Sequence, residues 1–281
     1  MTAWRPSLFV QFCIALHVAA LAVLVAAPAH WLGVLVFLFA LHGVIASAGL
    51  WPKSTLLGAN IRRLPVAAAT RGEVAITIDD GPDPEVTPQV LQILRERGAT
   101  ATFFCIGERA LAHPQLCRDI VAAGSAVENH GLRHRKHTSL FGPRGWRNEV
   151  AEAQRALESL TGRRPHFFRP IAGLRNPFLD PLLQRLGLQL VSWTRRGYDT
   201  RRVDPGRIYA RLTRDLAAGD ILLLHDGNAA RTNDGRAVIL DVLPRLLDEL
   251  AARNLKTVTL GHACPPTQPC KNAERIEKTP A

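Results

Sequence analysis

Hydrophobic positions along this chain fall into two regimes that meet near residue 52. Before it, two apolar stretches, 8–27 and 31–50, are separated only by Pro28-Ala29-His30. About 20 apolar residues cross the ~30 Å hydrocarbon core of a bilayer as a helix. Trp31 and Trp51 fall where interfacial aromatics sit, and neither stretch offers the polar outer face of a soluble helical hairpin. The pattern predicts a two-helix transmembrane hairpin over 1–52. Residues 53–71 show no clean period and read as a juxtamembrane linker.

From Glu73 the period changes. Short β-rich runs at 73–79, 101–106, 126–130, 166–169, 188–193, 220–225 and 256–260 alternate with helical patterns at 88–97, 114–123, 146–160, 178–186, 205–217 and 237–253. Gly98, Gly124, Gly162, Gly187 and Gly219 supply the stops, and Thr87 before Pro88 reads as an N-cap. Strands alternating with helices predict a parallel α/β sheet, barrel-like or doubly wound, over 72–263. A polar tail containing Pro and Cys, 264–281, follows.

Charge sharpens the division. Residues 6–52 carry no formal charge, and all but one of the 35 Lys and Arg, with all 24 Asp and Glu, come after them. The later region therefore holds +10 of the net +11. With 47% hydrophobic residues the chain is neither disordered nor fibrous. Arg5 lies on one flank of the hairpin and Lys53, Arg62, Arg63 and Arg71 on the other, with no Lys or Arg in the turn. This places both flanks and the domain on the cytoplasmic side of an inner or plasma membrane. Ala27-Pro28-Ala29 also reads as a signal-peptidase site, but the apolar region is long for a signal peptide. A cleaved signal followed by a stop-transfer segment would leave the domain on the same side.

The basic residues are scattered and no nucleic-acid motif interleaves with them, so membrane lipids, not nucleic acid, are the expected partner of the positive surface. The five cysteines fit a reducing compartment. Cys264 and Cys270 bracket the tail, either as a clip or as two separate thiols.

Parallel α/β sheets place active sites at the carboxyl ends of strands, and chemically capable residues cluster there. Asp79-Asp80 ends the first run, His130 the third, Arg169 the fourth and His225-Asp226 the sixth, with Asp199 just past the fifth. Adjacent carboxylates repel and call for a cation, although an Asp-Gly turn is also a common exposed feature. His130 and His134 share a face if their segment is one helical turn, with His137 as a spare. Together, Asp80, His130 and His134 would form a two-imidazole, one-carboxylate metal site with a position open for water. Asp79 would be a general base, Arg169 its counter-ion, and His225, oriented by Asp199, the complementary acid.

Five ordered segments carry a resemblance. Thr77-Ile-Asp-Asp-Gly81, Asn129-His-Gly-Leu-Arg-His134, Arg169-Pro-Ile-Ala-Gly173, Trp193 through Asp199, and Leu223-Leu-His225 resemble the motifs of the polysaccharide deacetylases, the NodB-homology group or carbohydrate esterase family 4. The resemblance implies a distorted (β/α) barrel and one divalent metal, Zn²⁺ first with Co²⁺, Ni²⁺ or Mn²⁺ as alternatives, held by Asp80, His130 and His134. It implies catalysis by Asp79, Arg169, His225 and Asp199. It also implies an oxyanion donor at the backbone of Ile171 or Ala172 and a substrate pocket that includes Trp193 and Leu223. Ile78, Gly131, Ile171-Ala172 and Thr200 depart from the family's usual residues. The expected activity is hydrolysis of an N-acyl group, acetyl first, from an amino sugar in a glycan or lipid-linked saccharide. The alternatives are a deformylase of a polyprenyl-phosphate-linked amino sugar and a non-catalytic carbohydrate- or glycolipid-binding protein on the same fold.

Overall fold

The computed structural model describes residues 4–265. The tail beyond them, with Cys270 and the question of its pairing with Cys264, lies outside the described residues. Helices α1 (Leu8–Ala26) and α2 (Trp31–Leu50) pack on one another through a 3-10 turn at Pro28–His30. Leu8, Phe12, Leu35 and Phe39 are all exposed. Both helices are long and apolar enough to cross a membrane.

Eight parallel strands form the rest of the framework: β1 (Glu73–Asp79), β2 (Thr102–Cys105), β3 (Ala126–Asn129), β4 (Phe167–Phe168), β5 (Gln189–Leu190), β6 (Arg195–Arg196), β7 (Ile221–His225) and β8 (Lys256–Thr257). The order is β5-β4-β3-β2-β1-β7-β6, with β8 pairing the start of β1. This is the distorted parallel α/β barrel expected from the sequence. All seven residues of β1 are buried, as a strand covered on both faces must be. Alternation sends Val74, Ile76 and Ile78 outward into a core shared with α4 (Thr87–Glu96), α9 (Pro205–Thr213) and α10 (Ile239–Ala252). Ala75 faces inward with Phe104, Phe167, Val191, Trp193 and Leu223. A third cluster joins Trp146 and Val150 of α7 (Pro143–Thr161) to Leu179 and Leu183 of α8 (Leu179–Leu186).

Several local readings change. The 188–193 run supplies only Gln189–Leu190, and β6 forms separately beyond it. The last run stops at Thr257, and the Thr259 hydroxyl then caps a short helix at Leu260–Ala263 by accepting from His262 N. Short helices α3 (Val66–Thr70) and α5 (Gly107–Ala112), the latter followed by α6 (Pro114–Ala122), form where the sequence pattern marks only α6. Thr87 is the first residue of α4 instead of its N-cap. Asp83 Oδ1 receives the Glu85 and Val86 N–H groups, freeing the Thr87 hydroxyl to accept from Asp83 N and donate to Asp226.

Residues 53–71 lie against the barrel where the strand path fails to close. Ile61 N donates to Leu190 O at 2.9 Å, Ser192 N donates to Ile61 O at 2.8 Å, and Leu64 N donates to Gly219 O at 2.8 Å. Ile61 and Leu64 are buried in the inner core. The hairpin is tied to the same region. Trp4 Nε1 donates to Asp180 Oδ2 at 2.8 Å, and Arg175 N donates to Gly49 O at 3.0 Å. Backbone and backbone meet at Gly49, where a Cβ would lie 2.2 Å from Arg175 O.

Candidate active site

The carboxyl ends of β1, β3, β4 and β7 converge on one mouth, and the site is built there. Neighbouring residues of a strand point to opposite faces, so Asp79 and Asp80 would diverge if β1 continued. Asp80 instead adopts φ +75°, a left-handed conformation that Asp tolerates better than most residues. Its carboxylate thereby joins that of Asp79.

Asp79 Oδ1 accepts from Arg169 Nη1 at 2.6 Å, and both residues are buried. Arg169 uses its other donors on Thr77 Oγ1 (2.8 Å) and Ser192 O (2.8 Å), and its guanidinium carbon sits 4.1 Å from the Phe104 ring centre. Every constraint on this cation comes from the barrel interior, which fixes where it can hold a carboxylate.

Asp80 Oδ1 lies 3.1 Å from His130 Nε2 and 2.9 Å from His134 Nε2. Yet this buried oxygen receives no hydrogen bond of acceptable geometry. The three atoms lie within 4.8 Å of one another. His130 Nδ1 contacts Arg169 O at 2.7 Å. Only an N–H can satisfy a carbonyl, so Nε2 is the nitrogen left with a lone pair that could bind a metal. Two imidazoles and a carboxylate with an orphaned oxygen are a donor set suited to a divalent transition metal. Burial opposes ionisation of Asp80, but the two imidazoles, when they carry protons on Nε2, outweigh it and hold the carboxyl well below its usual range.

The histidines do not share a helical turn. Residues 130–137 are irregular, with Gly131 at φ +86° and His134 at φ +53°. The exposed His137 meets the Phe141 ring edge-on and takes no part. Glu149 of α7 organises the turn instead. Its buried Oε1 accepts from Arg133 N at 2.7 Å and from His134 N at 3.2 Å. A Cβ on Gly131 would stand 2.9 Å from that oxygen, so the carboxylate fills space that a side chain at 131 would need. Glu149→Ala is expected to weaken metal affinity by about 10–100-fold, as losses around metal ligands do. Titration of the stripped protein with metal measures this, and Glu149→Gln should recover part of the loss.

Asn228 and Arg109 were also missed from the sequence. Asn228 Nδ2 donates to Asp80 Oδ2 at 3.0 Å, leaving Oδ1 for the histidines. Arg109 donates to Asp80 O and Asn228 Oδ1, both at 2.9 Å. Asn228 is a single polar residue in a loop and Arg109 one in the short Gly107–Ala112 helix, with no pattern to mark either.

Across β1, His225 is the register partner of Asp79. Asp199 accepts both from the His225 backbone N–H (2.7 Å) and at the imidazole Nδ1 (2.8 Å). Burial pulls the His225 pKa down, but Asp199, aided by Asp79 and Asp80, raises it to about 9. Trp193 and Leu223 are buried in the inner core beneath this mouth. Ile171 and Ala172 form a 3-10 turn directly after Arg169-Pro170, with Ala172 at φ +53°. In that turn the Gly173, Leu174 and Arg175 N–H groups are committed to Pro170 O, Ile171 O and Gly49 O.

Residues 67–191 match the family model described as polysaccharide deacetylase. The chain is 33% identical over 190 residues to a peptidoglycan-N-acetylglucosamine deacetylase of Bacillus cereus, a match covering 67% of this chain and 86% of that protein. The chain belongs to the polysaccharide deacetylases, carbohydrate esterase family 4. A chitooligosaccharide deacetylase of Azorhizobium caulinodans is 34% identical over 193 residues, covering 65% and 90% of the two chains. The family 4 carbohydrate esterase from Streptomyces lividans, solved with acetate, aligns with a TM-score of 0.60 at 32% identity, covering 66% of this chain and 91% of that one.

Proposed function

We propose that this polysaccharide deacetylase is a metal-dependent N-deacetylase of an N-acetylglucosamine-containing saccharide, held at a membrane by α1 and α2. The observation that carries the reading is the pairing of two opposed proton-handling groups across β1. Asp79 is held by Arg169 beside the ligand triad, and His225 is held by Asp199 in register with it. Relatives named for peptidoglycan and chitooligosaccharide deacetylation supply the substrate class.

Asp80, His130 and His134 would hold the ion, Zn²⁺ first, and a bound divalent ion supplies Lewis acidity to an amide carbonyl and lowers the pKa of a water. Asp79 accepts the proton of the attacking water. Arg169 occupies Oδ1 and leaves Oδ2 directed at the ligand side, 3.9 Å from His130 Nε2. A backbone N–H at Ile171 or Ala172 stabilises the oxyanion as the carbonyl carbon becomes tetrahedral. His225 passes its proton to the nitrogen as the C–N bond breaks, giving a free amine and acetate. Trp193 and Leu223 shape the pocket beneath the sugar.

The His225 pKa carries a pH dependence. Its proton is fully present below about 9 and is lost as pH rises through that value. The kcat/KM profile should therefore show an alkaline limb near 9. Asp199→Asn removes the chief raising influence and should move the limb towards neutrality; an unmoved limb would contradict the assignment to His225.

Both ends of the hairpin support membrane attachment on one side. Trp4 before α1 and Gly49 at the end of α2 each bond to the 175–180 segment, and the flanking Arg5 and Lys53 agree with a cytoplasmic face. Mass spectrometry of an N-acetylated glucosamine oligomer treated with full-length protein tests the activity. Loss of one acetyl group with a free amine is expected, and release of formate only from a formylated analogue would move the reading to a deformylase.

A further inference from the structure

One cationic cluster at the barrel mouth takes no part in this chemistry. Arg196 of β6 is the register partner of Leu223 and so faces the barrel interior, whereas Arg195 points outward to Asp220. The Arg196 guanidinium carbon lies 5.2 Å from the Trp193 ring centre and 5.1 Å from that of Tyr198. Arg211 stacks on the same tyrosine at 5.3 Å. Among the described residues neither Arg196 nor Arg211 has a carboxylate partner, and Arg196 Nε is buried without a hydrogen bond. Other arginines nearby are paired: Arg63 and Arg195 with Asp220, Arg207 with Asp204. A half-buried cation without an anion is costly.

The surroundings say what kind of molecule carries such an anion. On one side, Tyr198 precedes Asp199, which holds His225. On the other, the Trp193 ring reaches the oxyanion turn and the hairpin exit together. A Cβ on Gly173 would lie 3.0 Å from that ring and 2.5 Å from Pro52 Cβ. Lys53 Nζ donates to Thr194 O at 2.8 Å, tying the chain just after the hairpin to the residue that precedes β6. The cation thus stands between the proton donor of the amide reaction and the point where the chain leaves the apolar helices. A neutral N-acetylglucosamine chain presents no anion there. An amino sugar joined to a lipid through phosphate presents one between sugar and tail, and guanidinium forks match phosphate oxygens.

We propose that Arg196, stacked on Trp193 and Tyr198, receives the phosphate of a lipid-linked N-acetylated amino sugar, with Arg211 as the outer cation. The inference rests on the N-deacetylase reading and specifies its substrate. The test uses full-length, Zn²⁺-loaded protein in nanodiscs with three farnesyl probes: N-acetylglucosamine joined through phosphate, N-acetylglucosamine joined directly, and N-acetylmuramic acid joined directly, which carries a carboxylate. The phosphate-linked probe should exceed the neutral one in kcat/KM by about tenfold or more, mainly through KM. Arg196→Gln should bring that ratio close to one, Arg196→Lys should keep part of it, and Arg211→Gln should reduce it less. A ratio is insensitive to how much of a variant folds. Equal use of the phosphate and neutral probes, a ratio unchanged in Arg196→Gln, or a preference for the carboxylate probe would each overturn the proposal. Binding of the same probes to Asp79→Asn protein separates the two readings. If no probe is hydrolysed but the phosphate preference in binding persists and depends on Arg196, the deacetylase reading fails and the phosphate site stands.

Discussion

Asp79→Asn is expected to lower kcat for amide hydrolysis by about 10²–10⁴, the usual contribution of a positioned general base. Asparagine keeps the shape of the side chain, and its carbonyl can still accept from Arg169 Nη1, 2.6 Å from the native oxygen. What it cannot do is take a proton. The same change removes the charge partner of a fully buried guanidinium. Breaking a buried ion pair by deleting one member typically destabilises by about 3–5 kcal/mol, and the retained hydrogen bond should hold the loss below that range. Activity and thermal midpoint must therefore be read on the same sample. A near-native midpoint with kcat reduced by two or more orders of magnitude is the expected pair of results. A kcat within about threefold of native, far less than a base contributes, would exclude Asp79 as the base.

Substitutions in the ligand triad should have the other large effect, and on a separate observable. Asp80→Ala and His130→Ala each remove one of three converging ligand atoms. The native protein should gain about 2.7 kcal/mol of stability from Zn²⁺ at a hundredfold excess over its Kd, a rise of several degrees in thermal midpoint. Both variants should lose that rise together with bound metal and activity. Asp79→Asn should keep the metal-dependent rise, since none of the three ligands is altered. If Asp80→Ala still showed the full native rise, the ion would be binding elsewhere.

The contrast between what was and was not legible in the sequence follows from the range of the interactions involved. β1 was read to the residue because its buried run ends abruptly in Asp-Asp-Gly-Pro. The helix ends at Gly162 and Gly187 were read because both glycines adopt the left-handed conformation that ends helices. Parallel strands delivering their ends to one mouth then gathered Asp79, Asp80, His130, Arg169 and His225 without further information. Features made by single long-range contacts left no period to read. Residues 61–64 fill the open side of the barrel through isolated backbone bonds, so they resembled a linker. The 130–134 turn is held by Glu149 from a distant helix, and two histidines four apart could not disclose that they converge without a helix. β5 was read too long and β6, two residues beyond the predicted run, was missed, because both are delimited by pairing with neighbouring strands and not by the residues at 191–194 themselves.

The departures from the family pattern also take on physical meaning. Gly131 stands where the family usually carries a hydroxyl residue, and the Glu149 carboxylate occupies the adjoining space and accepts the same turn's backbone N–H groups. Gly173, after the Ile171-Ala172 pair, lets Pro52 and the Trp193 ring close on the turn. The residues that follow α2 therefore contribute to the wall beside the 171–173 turn, and a side chain at 173 would have to displace Pro52 or the Trp193 ring.

The most direct test of the central claim is acetate release from an N-acetylglucosamine oligomer by full-length protein, measured after metal removal and again after adding Zn²⁺. Stripping should lower the rate at least a hundredfold, and Zn²⁺ should restore it in the native protein but not in Asp80→Ala. Undiminished acetate release by the metal-free protein, or none from the loaded protein on any N-acetylated amino sugar, would contradict it.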